Sequence, residues 1–278
     1  MTKPERDARL RVLSLGAGVQ STTMALMAAR GLLTPMPDCA IFADTGWEPK
    51  PVYDHLDWLL SGVLPFPVHR VSAGNLRENV IARRNTTGGR YAAVPWFTVN
   101  PDGSKGMGRR QCTSEYKLKP LMWKMRDLLM VDRRGRIAPG TVEVWLGIST
   151  DEATRMKPAR QAWQKNRWPL IELGMSRQKC LAWLNARGFP DPPKSACIGC
   201  PFHSDAMWKE MRENRPEEWA DAVAVDAALR DGKQGRKYEG VEFMHESRVP
   251  LPLVDLRTDG ERGQLDLFDN ECEGMCGV

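Results

Sequence analysis

Apolar residues recur along this chain in two alternating rhythms. Residues 10–15 form a short, nearly continuous apolar run, and residues 21–30 an apolar helical stretch stopped by Gly31. Residues 40–43 repeat the strand signal. Residues 52–60 then have helical spacing, with Tyr53, Leu56, Leu59 and Leu60 on one side. A third strand is predicted at 66–71 and a helix at 76–84. Further on, 115–129 reads as helix, 142–147 as a fourth strand, and 176–187 as a helix with Gly188 as its stop. Two more helices follow at 205–213 and 216–230. Strands alternating with helices at this spacing predict an α/β fold, a doubly wound and mostly parallel sheet covered on both faces. Residues 85–110 and the last forty residues lack periodicity and are expected to be loop. The expected organisation is a nucleotide-binding domain over 10–175 and a small helical and irregular C-terminal part over 176–278.

A chain of 278 residues, 42% hydrophobic and 27% charged, can bury a full core and has ordinary soluble composition. No stretch is apolar for long enough to span a bilayer, and the first residues lack the apolar core of a secretory signal, so a cytoplasmic protein with no membrane partner is expected. The net charge of +5 is unevenly spread. Residues 81–170 hold 18 Lys/Arg against 7 Asp/Glu, a surplus of +11, so the flanks are acidic. A basic middle suits a polyanionic partner, a nucleotide or a nucleic acid; the alternative is a solvated basic face.

The first predicted strand runs into Ser14-Leu-Gly16-Ala17-Gly18-Val-Gln20-Ser21-Thr22. A glycine turn between a strand and a helix presents backbone N–H groups and the positive helix end to an anion, and Ser21 and Thr22 offer hydroxyls. The turn lacks the Gly-Lys-Ser/Thr ending of a Walker loop and the third glycine of the dinucleotide fingerprint, so a purely structural turn is the competing reading.

Seven cysteines in a cytosolic chain point to metal or redox chemistry. Cys197-Ile-Gly-Cys200-Pro lies in a Pro/Gly-rich loop, a spacing that binds one metal or cluster from a single turn. With Cys112 and His203 it makes a Cys₃His zinc set; the same cysteines also suit a four-iron four-sulfur cluster. Cys39 and Cys180 sit among apolar residues and read as small buried side chains. Of the ten tryptophans, Trp58, Trp123, Trp145, Trp183 and Trp219 read as core, whereas Trp96 and Trp163 lie in polar, basic segments and are the better base-stacking candidates.

Five segments in order resemble the PP-loop (adenine nucleotide alpha hydrolase-like) family, in its phosphoadenylyl-sulfate (PAPS) reductase-like branch. Residues 16–21 resemble the loop Ser-Gly-Gly-x-Asp-Ser, with Gln20 in place of the aspartate. Asp44-Thr45-Gly46 resembles the strand-end Asp-Thr-Gly that faces the nucleotide. Cys112, Lys117 and Pro120-Leu121 resemble Cys-Cys…Lys…Pro-Leu, with Thr113 for the second cysteine. Gly147 to Arg155 resembles Gly-Ile-x-x-x-Glu-x-x-Arg, and Pro169-Leu-Ile also fits. The resemblance implies ATP or another adenine nucleotide held by Ser14, Gly16, Ala17, Gly18, Gln20, Ser21, Thr22, Asp44, Thr45, Gly46, Gly147 and Arg155. It implies catalytic roles for Asp44, Arg155 and Cys272, the last echoing a mobile Glu-Cys tail. Gln20 puts a magnesium-supporting carboxylate in the loop in question, with Asp44 or Asp151 as substitutes. Arg155 is a guanidinium clamp for phosphate or sulfate, against the alternative of an ion pair with Asp151. A cluster on Cys112, Cys197 and Cys200, with zinc as the alternative, leaves one iron to His203 or open. That pattern resembles the iron–sulfur sulfurtransferases of the family, which modify nucleic acids. The expected function is ATP-dependent sulfur transfer. The alternatives are a sulfonucleotide reductase that forms sulfite through Cys272, and a non-catalytic nucleotide-binding regulator with structural zinc. Expected partners are an adenine nucleotide, a nucleic-acid acceptor, a sulfur donor or reductant protein, and a second copy in a homodimer.

Overall fold

The structure is a computed structural model that describes residues 8–89, 94–231, 240–257 and 261. Five parallel strands, β1 (Leu10–Leu15), β2 (Cys39–Asp44), β3 (Val68–Ser72), β6 (Val142–Trp145) and β7 (Gln164–Arg167), form one sheet in the order β3-β2-β1-β6-β7. Registers such as Leu13 opposite both Ala40 and Trp145 place like side chains on one face. Because successive side chains point to opposite faces, Leu13, Leu15, Ala40, Phe42 and Trp145 enter one core and Val12, Cys39, Ile41, Val142 and Val144 another. The first core is closed by α1 (Val19–Ala29), α2 (Lys50–Trp58) and α6 (Arg177–Asn185), the second by α4 (Lys119–Leu128). Both faces are covered, which is the doubly wound α/β arrangement the periodicity predicts. From β1 the chain steps outward to β2 and β3, then returns to β6 on the other side. The loops after β1 and β6 therefore part at the carboxyl ends of the strands, where open α/β sheets bind their ligands.

A third core joins α3 (Leu76–Ile81), α7 (Asp205–Asn214) and α8 (Pro216–Asp231) to an antiparallel sheet of β5 (Lys105–Met107), β4 (Phe97–Val99) and β8 (Val241–Phe243). This sheet corrects the expectation of loop at 85–110. Its strands are three residues each, too short for a visible period, although Asn100-Pro-Asp-Gly103 between them is a turn signal. β7 was hidden for another reason: Gln-Lys-Asn-Arg is a polar edge strand. Trp96 and Trp163, the better stacking candidates in the sequence, are buried in the cores, so neither is presented to a base. Cys39 and Cys180 are buried as expected, and burial pushes both thiols up to about 11. Among the described residues no helix is long and apolar enough to cross a membrane.

One buried histidine ties stability to pH. The His55 ring meets the Thr22 hydroxyl at 3.0 Å (Nε2 to Oγ1), and burial depresses its pKa to about 4. An unfolded histidine takes its proton near pH 6.5, so the stabilisation is full above that value and is lost as pH falls through about 4. Urea unfolding from pH 7.5 down to 4 is expected to lose roughly 3 kcal/mol through this group. His55→Gln, which keeps a partner for Thr22, should remove that part of the slope.

Candidate functional site

The glycine turn connects β1 to α1 with no side-chain cap on the helix and no acidic residue in its first turn. The Gly16 N–H donates to Ser21 Oγ (3.1 Å), whose hydroxyl points back to the Gly18 carbonyl (3.3 Å), while Ala17 takes a left-handed conformation (φ 55°). Across the turn lies the end of β6. A methyl at Gly147 would stand 3.1 Å from the Ser21 nitrogen and 3.3 Å from its Cα, so any side chain here presses on the first turn of α1.

Between the two loops opens a cleft continuous with solvent. Its walls bring together Ser14, Gly16, Gly18, Gln20, Ser21, Gly147 and Arg155, residues drawn from two separate sequence motifs. Four cations line it, Lys117, Arg155, Arg177 and Lys194, against a single carboxylate, Glu152. That surplus, added to the positive end of α1, makes the cleft electropositive.

Glu152 was not anticipated as a site residue. Its oxygens meet the Gln20 amide (3.4 Å) and the Arg155 guanidinium, and burial, only partly offset by Arg155, holds its pKa above the usual carboxylate value. Arg155 is thus paired with Glu152, not with Asp151, whose carboxylate instead accepts the Arg177 backbone N–H (3.1 and 3.2 Å). Gln20 stands where a loop carboxylate was expected, and Glu152 sits within its reach.

Other expected nucleotide contacts lie elsewhere. Asp44 accepts from Arg70 (2.7 and 3.0 Å), the Tyr53 hydroxyl (2.9 Å) and the Gly46 N–H (2.8 Å), and does not line the cleft. Thr22 faces His55. Ala17 is fully buried, and Gly46 packs on Asn75. Thr45 turns to a second cavity.

That second cavity is lined by Cys112, Cys197 and Cys200 together with Thr45, Arg110 and Lys117. Residues 85 positions apart in sequence thus meet on one wall. The Cys-x-x-Cys turn is pinned by the Ile198 N–H to the Trp47 carbonyl (2.9 Å) and closed by the Cys200 N–H to the Cys197 carbonyl (3.0 Å). Cys197 Sγ lies 3.4 Å from Thr45 Oγ1 and donates to Glu48 Oε1 (3.5 Å). Lys117 Nζ meets the same oxygen (3.5 Å). Glu48, 3% exposed, is a second residue that sequence reasoning missed; its only cue was its place three positions after Thr45.

One observation suits an anionic group in this cavity. Arg110 Nη2 is buried without a hydrogen-bond partner among the described residues, and Lys117 stands beside it; cations there stabilise thiolates. Among the described residues no three His, Cys, Asp or Glu side chains are grouped for a single ion. His203 does not line this cavity. Its ring packs on Trp208 (4.6 Å between centroids), and its pKa is pushed down to about 3, by burial first and then by the charges of Arg215 and Lys194, against a backbone contact at Cys197. Cys272 and Cys276 lie outside the described residues. Lys117 lines both cavities, so the cleft and the cysteine site share a wall.

No protein-family model and no curated protein matches the chain. Among solved structures it is similar to a crystal structure of phosphoadenylyl-sulfate (PAPS) reductase from Candida auris in a phosphate complex, at 13% identity over 69% of this chain and 76% of that one, with a TM-score of 0.41.

Proposed function

We propose that this chain is an ATP-dependent sulfurtransferase that activates an oxygen of a nucleic acid and replaces it with sulfur. The observation that carries this reading is the sharing of Lys117 between a cation-lined glycine-turn cleft and a cavity lined by three cysteines. A polyphosphate site and a thiolate site on one wall suit a reaction that spends a nucleotide to move sulfur.

The adenine nucleotide lies with its phosphates on the amides of residues 16–21, and Arg155, Arg177 and Lys194 hold their charge. The acceptor oxygen bonds to the α-phosphorus while the α–β bridge breaks, releasing pyrophosphate. These donors stabilise the charge that builds on the phosphoryl oxygens. Sulfide then bonds to the atom that carried that oxygen, and AMP leaves with the oxygen, so no net oxidation occurs. A magnesium ion travelling with the triphosphate would find Glu152 as the carboxylate of the cleft. Cys112, Cys197 and Cys200 would hold a four-iron four-sulfur cluster, which when bound supplies an iron position free of protein thiolate for carrying sulfide. Arg110 and Lys117, which line the same cavity, would offset the negative charge of such a group. The basic middle of the chain receives the nucleic acid.

Product analysis tests this reading. The full-length chain, purified without oxygen and given ATP, sulfide and a mixed nucleic-acid pool, is expected to release pyrophosphate and AMP in equal amounts and to leave sulfur in the pool. Sulfite formed in a parallel reaction given a sulfonucleotide and a dithiol reductant, with no pyrophosphate in the first, would make it a reductase instead. Neither product, with zinc bound, would make it a non-catalytic nucleotide-binding regulator.

A further inference from the structure

The segment that leads into the Cys-x-x-Cys turn crosses directly over the glycine turn. Pro193, Lys194, Ser195 and Ala196 all line the cleft. The Ala196 N–H folds back to the Lys194 carbonyl (3.2 Å), which leaves Ser195 at the apex of a tight bend. From that apex Ser195 Oγ donates to the Gly16 carbonyl. Its Cβ would stand 3.3 Å from a methyl on Gly18, so the strap rests on the turn with no room for a side chain between them. Two residues further on is Cys197, at most about 7 Å of chain away. Among the described residues of the strap, Ser195 is thus the side chain that hydrogen-bonds the anion loop, and it sits beside the cysteine turn.

We propose that Ser195 is a positioning residue through which nucleotide in the cleft sets the order of the Cys197–Cys200 turn. The proposal rests on the cleft being a nucleotide site. In the free protein the Ser195 hydroxyl is spent on a neutral carbonyl. A phosphate arriving at residues 16–21 brings charged acceptor oxygens to the same place, and hydrogen bonds to charged acceptors are roughly twice as strong as neutral ones. The hydroxyl turns from Gly16 to the phosphate, the strap is fastened to the ligand, and the cysteine turn behind it is held more tightly. Sulfur chemistry at the cysteines is thereby tied to the presence of the activating nucleotide. Neither residue class nor spacing announces this role, because Ser195 acquires it only by lying across Gly16 and Gly18.

The test is amide hydrogen exchange on the full-length chain purified without oxygen, with ATP as the probe and its binding measured on the same samples. The reporters are the N–H groups of Ile198, Cys200 and His203, bonded respectively to Trp47, Cys197 and Cys200 carbonyls. Bound ATP is expected to slow exchange over residues 197–203 by about fivefold or more. Ser195→Ala is expected to bind ATP yet leave that exchange within about twofold of its ATP-free value, and Ser195→Thr to restore the slowing. ATP bound to the wild type with unchanged exchange at 197–203 overturns the coupling alone. Full slowing retained in Ser195→Ala overturns it too, since the effect would then be simple covering of the site. No ATP binding to the wild type overturns the nucleotide reading, and the coupling with it.

Discussion

Replacing Gly147 by valine is expected to weaken ATP binding by about a hundredfold, roughly 3 kcal/mol, with the sheet still formed. The first side-chain atom at this position would already lie 3.1 Å from the Ser21 nitrogen, 3.3 Å from its Cα and 3.4 Å from the Gln20 carbonyl carbon. All three neighbours are backbone at the start of α1, so none can swing aside, and the two valine methyls add to the overlap. The relief available is to push the first turn of α1 away from β6, which displaces the amides proposed to face the phosphates. Overpacking of this kind costs about 1–3 kcal/mol of stability, which a 278-residue chain registers as a fall in Tm of several degrees. Calorimetric titration with ATP and thermal unfolding of the same sample separate the two effects. Gly147→Ala, with one methyl, should lie between valine and wild type in both. Unchanged ATP affinity in Gly147→Val would remove the cleft between β1 and β6 as the nucleotide site.

A methyl group at Gly199 is expected to do to the cysteine turn what valine does to the phosphate turn. It would stand 2.1 Å from the Trp47 indole, and two further ring carbons lie at 2.6 and 2.7 Å. The ring cannot retreat. Trp47 is 3% exposed in the third core, and its Nε1 donates to Asp221 (2.8 Å), a carboxylate that also holds Arg77. Gly199→Ala must therefore move the turn itself, carrying Cys197 and Cys200 off the wall they share with Cys112. The expected result is loss of nearly all bound metal and a Tm lower by roughly 3–10 °C. The diagnosis is checked by removing the obstacle. In a Trp47→Leu background Gly199→Ala should cost little, because effects that act through one contact are not additive. An equal cost in both backgrounds would show that the ring is not the cause.

The parallel sheet was legible in the sequence because its three inner strands are short apolar runs set between helix-period segments and punctuated by Gly31 and Gly188. Both faces of the sheet are buried, so its strands had to be apolar and the signal was strong. What escaped was held together by distance. β4 and β8 pair across more than 140 positions with three residues each, and no local pattern foretells such a partner. The site divides the same way. Gly16, Gly18, Ser21, Gly147 and Arg155 belong to motifs, and they do meet in the cleft. Glu152 belongs to the same motif as Gly147 and Arg155, whereas Arg177, Lys194 and Ser195 enter the cleft because the segments after β6 and before Cys197 fold over the glycine turn, which only the tertiary arrangement displays. Asp44 went the other way: a carboxylate at a strand end reads as a ligand contact, yet Arg70, on the neighbouring strand, and Tyr53, from α2, occupy it.

The proposed sulfur chemistry depends most directly on what the cysteine cavity holds. The measurement is iron, zinc and acid-labile sulfide content of the full-length wild-type chain purified without oxygen. About four irons and four sulfides per chain are predicted. Stoichiometric zinc, with neither iron nor sulfide, would contradict sulfur chemistry at this site and leave the three cysteines a structural role.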